Sequence, residues 1–235
     1  MPQVIVSTRP QSPVRIGTYA VLPTVSVRDL GIYLDSDLSM STHVNKTVSS
    51  CFAVLRQLRS IQRSVSKPVL TSLVVSLVLS RLDYGNAVLA GLPNYLMNRL
   101  QSVLNAAARM VCSARKFDHI TPLLRDLHWL KIQHRIQFKL AVLVYRCLHG
   151  LAPSYLVREF QRVADIDSRR QLRSASTDAL LVPSTRLTSV GDRAFPVAAA
   201  RAWNSLPSHV TSSPSLLSFR RALKIELFAR SFPST

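Results

Sequence analysis

The side chains able to do covalent or metal chemistry are few, and only the carboxylates are usefully spaced. Asp35 and Asp37, in the stretch LDSDL (34–38), stand two apart, and so do Asp165 and Asp167. Such a pair can hold Mg²⁺ when a substrate phosphate completes the shell. Asp and Ser are also the ordinary turn formers between a strand and a helix, and the turn is the favoured reading for both pairs. The six histidines include His128 and His134, which lie on different faces of a helix and so make a poor shared metal site. Cys51, Cys112 and Cys147 are odd in number and far apart, each within an apolar helical pattern. They read as reduced core cysteines of an intracellular protein, and no Cys-x-x-Cys or Cys/His cluster offers a zinc site. No glycine-rich phosphate loop, nucleophile elbow or Ser/His/Asp set can be assembled, so the residues form no complete catalytic site.

Charge is the stronger signal. The 235 residues carry 30 Lys plus Arg against 12 Asp plus Glu, a net charge of +18 with a pI of about 11.1. Only six of the 30 are lysine, so 24 are arginine. The arginine fork pairs bidentately with phosphate and stacks on bases, which favours a nucleic-acid partner. Phosphate recognition needs several cations along one surface, and affinity grows with the counterions they release. Lys46, Arg56, Arg59, Arg63 and Lys67 form one candidate stripe, and Arg109, Arg115, Lys116, Lys131 and Arg135 a second. Arg169, Arg170 and Arg173, in the unpatterned stretch 165–177, form a third. For any one arginine a solvated face is the plainer reading; only the aggregate of cations points to a polyanion.

The elements that must position these cations follow from periodicity. Up to Asp35 the chain holds short β-type runs (4–6, 14–16, 19–22, 27–34) broken by Pro10, Pro13, Gly17 and Pro23. From Ser41, with Ser41 or Thr42 as N-cap, the rhythm of Val44, Val48, Cys51, Leu55, Leu58 and Gln62 is helical, and Lys46, Arg56, Arg59 and Arg63 lie off that seam. Pro68 opens a second, nearly all-aliphatic helix to Leu82, expected to be central. Pro93 starts a third with Leu96, Leu100, Val103, Ala107 and Met110 inside, and Thr121 and Pro122 start a short one reaching Leu130. The run from Leu130 to Gly150 is the expected hub. Its first half alternates Lys131, Arg135 and Lys139 with apolar residues, its second half is apolar on every face, and Gly150 is its left-handed stop. A brief helix from Pro153 to Arg162 follows, then extended pieces around Pro183, a helix from Phe195 to Leu206 bearing Trp203, and a last amphipathic helix capped at Ser213 and Pro214. The longest apolar run, Val69 to Leu79, falls well short of the roughly 20 residues that span a bilayer, so no membrane partner is expected.

Several motifs also carry a family resemblance. VRDLGIYLDSDLSMSTHV (27–44), SRLDYGNAVLAGLP (80–93), LQSVLNAAARMV (100–111), KFDHITPLLRDLHWLKIQHRI (116–136), YRCLHGLAPSYL (145–156), GDRAFPVAAARAWNSLP (191–207) and SLLSFRRALKIELF (215–228) stand in that order. Together they resemble the region after the palm in reverse transcriptases of LINE-type (non-LTR) retrotransposons. The resemblance implies a mainly α fold. A helical bundle, thumb-like over 41–115, with a central helical accessory region (116–160) and a basic loop plus C-terminal helices (161–235), would follow a remnant of palm strands (1–40). The family's metal site uses palm aspartates in an aromatic-x-Asp-Asp turn. This chain has no Asp-Asp dipeptide, and Asp35 and Asp37 match a later segment of the family, so no catalytic residue or Mg²⁺ site is carried over.

The expectation is therefore a non-catalytic, nucleic-acid-binding fragment of an RNA-directed DNA polymerase, without a cofactor of its own, holding RNA or an RNA/DNA hybrid, with a palm-containing polypeptide as the candidate protein partner. The alternatives are a helical protein-interaction or scaffold fragment, and a decayed element copy with no selected function.

Overall fold

In the computed structural model, which describes residues 12–165 and 178–233, the extended runs before the first helix form two antiparallel hairpins. β1 (Val14–Ile16) pairs with β2 (Tyr19–Val21), matching Val14 with Val21 and Ile16 with Tyr19. β3 (Ser26–Asp29) pairs with β4 (Ile32–Asp35), matching Ser26 with Asp35. The run expected as one strand over 27–34 is thus two, folded at Leu30 and Gly31. Both have positive φ (44° and 84°), as a two-residue hairpin turn requires, and only the glycine takes that conformation without strain. The run expected over 4–6 lies outside the described residues.

The Asp35–Asp37 pair forms the turn that launches the first helix, α1 (Ser41–Ile61). The Asp37 carboxylate accepts the Ser39 N–H at 3.0 Å. Asp35 Oδ2 accepts the Ser39 hydroxyl and the Thr42 N–H, each at 3.0 Å. The cap of α1 is therefore Asp35 rather than Ser41 or Thr42: Met40, at φ 62°, turns the chain back so that the upstream carboxylate meets the helix N-terminus. Burial alone would raise the Asp35 pKa, but the bonds from Thr42 and Ser39 outweigh it and hold the carboxyl below its ordinary 3.8.

The chain divides into two units, Met1–His43 and Val44–Thr235, and the second is helical. Along α1 the expected seam of Val44, Val48, Cys51, Leu55 and Leu58 is buried. The aliphatic stretch after Pro68 is α2 (Lys67–Val74), a π-helical turn (Val75–Leu79) and α3 (Ser80–Asp83). Instead of being covered on every side, it leaves Val69, Val75 and Leu77 about half or two-fifths exposed, at 49%, 43% and 39%. The reason is the serine spacing: Ser72, Ser76 and Ser80 recur every fourth residue on an exposed stripe. The Ser76 and Ser80 hydroxyls bond back to the carbonyls of Ser72 and Ser76, so no partner helix is needed there.

α4 (Asn94–Val111) and α5 (Ile120–Asp126) lead to α6 (Ile132–Leu148), the expected hub. The short helices α7 (Ser154–Val157) and α8 (Thr188–Gly191) are followed by α9 (Phe195–Asn204), α10 (Ser208–Thr211) and α11 (Leu216–Ser231). α4, α9 and α11 pack on α6, and no residue from Leu140 to Tyr145 is exposed. The Tyr145 hydroxyl donates to the Ser213 carbonyl at 3.0 Å, and its ring stacks on Phe219 at 4.4 Å. Gly150, at φ 66°, stops α6 as expected, with Leu151 N–H returning to Arg146 O at 2.8 Å.

Several local expectations shift: the helix expected from Pro153 to Arg162 is only Ser154–Val157, and α5 begins at Ile120 with His119 before it. α5 ends at Asp126, because His128 adopts a left-handed φ of 54°. Leu180 pairs with Arg162 in an isolated β-bridge, but Thr188–Gly191 is a helical turn, not an extended piece. α11 is capped by a Ser215–Ser218 capping box, one step beyond Ser213 and Pro214.

Candidate nucleic-acid interface

α1 and α4 run side by side in the same direction. Near one end Phe52 and Arg56 face Arg99 and Ser102; near the other the Gln62 amide of the chain leaving α1 donates to the Met110 carbonyl of α4 at 2.9 Å. Between them lies an open groove of about 1030 Å³. Arg56 and Arg59, three apart on one face of α1 beside the buried seam, and Arg63, in the turn just after the helix, form one wall. Arg109 and Lys116 form the other wall, and Phe52, Leu55, Ala106 and Met110 supply apolar floor. An adjoining hollow of about 510 Å³ shares Phe52 and Arg56 and adds Arg99. Six cations thus line one continuous trough, with no carboxylate among its lining residues.

The electrostatics follow from that one-sidedness. A cleft lined by one sign of charge over an apolar floor concentrates field and attracts the opposite charge. Arg56 and Arg59, three residues apart on α1, stand about 4.5 Å apart along the helix axis, close to one phosphate step of about 3.4 Å along a strand. Asp118, on the turn beyond α4, is not among the lining residues, and its carboxylate accepts the Arg115 N–H at 2.6 Å.

The two helical stripes read from the sequence are regrouped. Arg56, Arg59 and Arg63 from the first meet Arg109 and Lys116 from the second. Lys46 sits on the exposed back of α1, outside the groove. Lys67 opens α2, close enough to Cys112 at the end of α4 to bias that thiol's ionisation. Arg115 is exposed on the turn after α4. Lys131 and Arg135 go elsewhere. The Lys131 ammonium lies 5.5 Å from the Phe232 ring. Arg135 is forked onto Asp83, with Nε donating to Oδ1 at 2.8 Å and a second, shorter bond to Oδ2, and its side chain is 18% exposed. Arg169, Arg170, Arg173 and Asp167 lie outside the described residues.

Sequence reasoning missed Arg99 and the apolar floor. The signal was present: Arg99, Ser102, Ala106 and Arg109 follow at spacings of three, four and three along one face of α4. Among the described residues no three His, Cys, Asp or Glu side chains come together as metal ligands. Asp35 Oδ2 and Asp37 Oδ1 are engaged in the cap and the turn. The Cys51 thiol is pushed up to about 11, by burial first, and is inert. No described helix is long and apolar enough to cross a membrane. Comparison with family models, with characterised protein sequences and with solved structures gave no match.

Proposed function

We propose that this chain is a nucleic-acid-binding, non-catalytic part of an RNA-directed DNA polymerase of the non-LTR retrotransposon kind, with the α1–α4 groove holding a backbone of the template/primer duplex. In that reading the two hairpins are the last strands of a palm, the helices from α1 to α4 are thumb-like, and α5 to α11 are the accessory region behind them. The convergence of Arg56, Arg59, Arg63, Arg109 and Lys116 on one groove without a carboxylate carries the proposal. The motif resemblance supports it.

A salt titration with a labelled RNA/DNA hybrid tests it. Affinity should fall steeply with salt, and the triple change R56E/R59E/R63E should weaken binding by about 100-fold or more while lowering the log–log slope by about 3. No binding at low salt, or a triple variant that binds like the parent, overturns the reading. One observation favours a second reading, a protein-interaction fragment. Val69, Val75, Leu77, Tyr84 and Val88 are exposed along and after α2, and exposed apolar side chains in such number mark interfaces where they adjoin. A stable complex with a palm-containing polypeptide, together with no affinity for nucleic acid, would establish it instead.

A further inference from the structure

The turn joining α4 to α5 carries the most exposed large apolar side chain among the described residues, Phe117, at 89%. The turn is braced on both sides of that ring. The Asp118 carboxylate accepts the Arg115 N–H at 2.6 Å, and the Asp118 N–H returns to the Arg115 carbonyl at 3.3 Å. The Arg109 guanidinium, itself part of the groove wall, donates to the Asp118 carbonyl at 3.2 Å. Lys116 lines the groove and places its ammonium 5.6 Å from the Phe117 ring. An aromatic face is therefore held in water at the mouth of the cationic groove.

We propose that Phe117 is a stacking platform for an unpaired base whose adjoining phosphates lie in the α1–α4 groove, so that the groove takes a single strand or a duplex end with an overhang. The proposal rests on the nucleic-acid reading of that groove and adds the form of the ligand. A cationic track combined with an aromatic ring is the usual means of holding unpaired nucleotides, because every base has a π-face. A protein-docking anchor would sit inside a patch of apolar neighbours. Here Arg115, Lys116, Asp118 and His119 around the ring are all exposed and polar.

The test measures affinities of the full chain for a single-stranded RNA, a blunt RNA/DNA hybrid, and the same hybrid with an overhang carrying 2-aminopurine. F117A should weaken binding of the strand and the overhang on the order of 5- to 100-fold and leave the blunt hybrid within about 2-fold. F117W should restore affinity and quench the 2-aminopurine; F117L should behave like F117A. The stacking proposal is overturned if F117A binds all three like the parent, if it weakens the blunt hybrid equally, or if F117L restores affinity. The groove reading is judged separately by R59E. If R59E weakens all three and F117A none, the groove stands and the stacking falls; if the parent binds none of them, both fall.

Discussion

α1 and α6 carry similar patterns of cations among apolar residues, yet their charges meet opposite fates. On α1 the arginines face a groove that holds no carboxylate. On α6 Arg135 is forked onto Asp83 and Lys131 lies against Phe232. The cause is the apolar pattern, not the basic one. α1 is apolar along a single seam, so its back stays in water. α6 is apolar all round in its second half, so α4, α9 and α11 pack on it; the cations at its start meet Asp83, at the end of α3, and Phe232, just after α11, while Lys139 stays exposed. A run of Lys and Arg thus says little about a binding surface until the apolar period of the same helix is known.

The largest effects should separate the helices by observable. Leu140 of α6 is 3% exposed, and L140A should lower stability by about 2–5 kcal/mol in a thermal or denaturant melt. R59A on α1 should stay within about 0.5 kcal/mol of the parent in the same melt, while weakening the hybrid several-fold. A melt in which R59A is as damaging as L140A would remove the distinction between the two helices.

The Arg135–Asp83 pair comes next. A double-mutant cycle of R135A and D83A should give a coupling of about 1–2 kcal/mol, modest because the Asp83 side chain remains 40% exposed. Hybrid affinity should change less than about 2-fold for R135A, a single cation outside the groove. A loss of binding as large as that of R59A, with no coupling, would return Arg135 to the interface.

The helix ends differ as well. α6 stops on Gly150, whereas α4, the groove helix, stops on Ser113 at φ 52°, with Ala114 N–H returning to Arg109 O at 2.9 Å. Both ends use the same left-handed geometry, but serine is strained in it. S113G should therefore raise stability by about 1 kcal/mol in a melt. A loss of stability would show that the Ser113 hydroxyl, 3.5 Å from the Gln62 amide, matters more than the strain.

The mainly helical class, the seam of α1 and the central place of α6 were legible because each depends on local period. Gly31 and Gly150 marked two turns, although the first went unread and one strand was drawn where two exist. The groove was not legible, since it depends on which helices lie side by side. Nothing in the one-dimensional pattern pairs Arg59 with Arg109 or Arg135 with Asp83. The same limit hid the Asp35 cap, which requires the chain to double back at Met40.

The smallest effect concerns how the two helices begin, and it separates them by pH. α1 presents its Thr42 N–H to the Asp35 carboxylate, while α6 presents its Ile132 N–H to the neutral amide of Gln101 at 2.9 Å. In the first turn of α6, His134 Nδ1 meets the buried Ser231 hydroxyl of α11 at 2.7 Å. Burial, then Lys131 and Arg230, hold that imidazole below its ordinary 6.5. Because the folded value is the lower one, the unfolded chain binds the proton first. The contribution is complete above 6.5 and is lost as pH falls through the folded value. Asp35, held below 3.8, keeps its contribution down to that value and loses it only below. Acidification should therefore loosen α11 from α6 well before it breaks the Asp35 cap of α1. Amide exchange at the last turn of α11 should rise below pH 6.5 in the parent and stay flat in H134Q. His43, pushed below 6.5 by burial, adds a loss in the upper window near Thr42, so the two sites are compared as parent against H134Q. Unchanged acid-driven exchange of α11 in H134Q would remove His134 from the account.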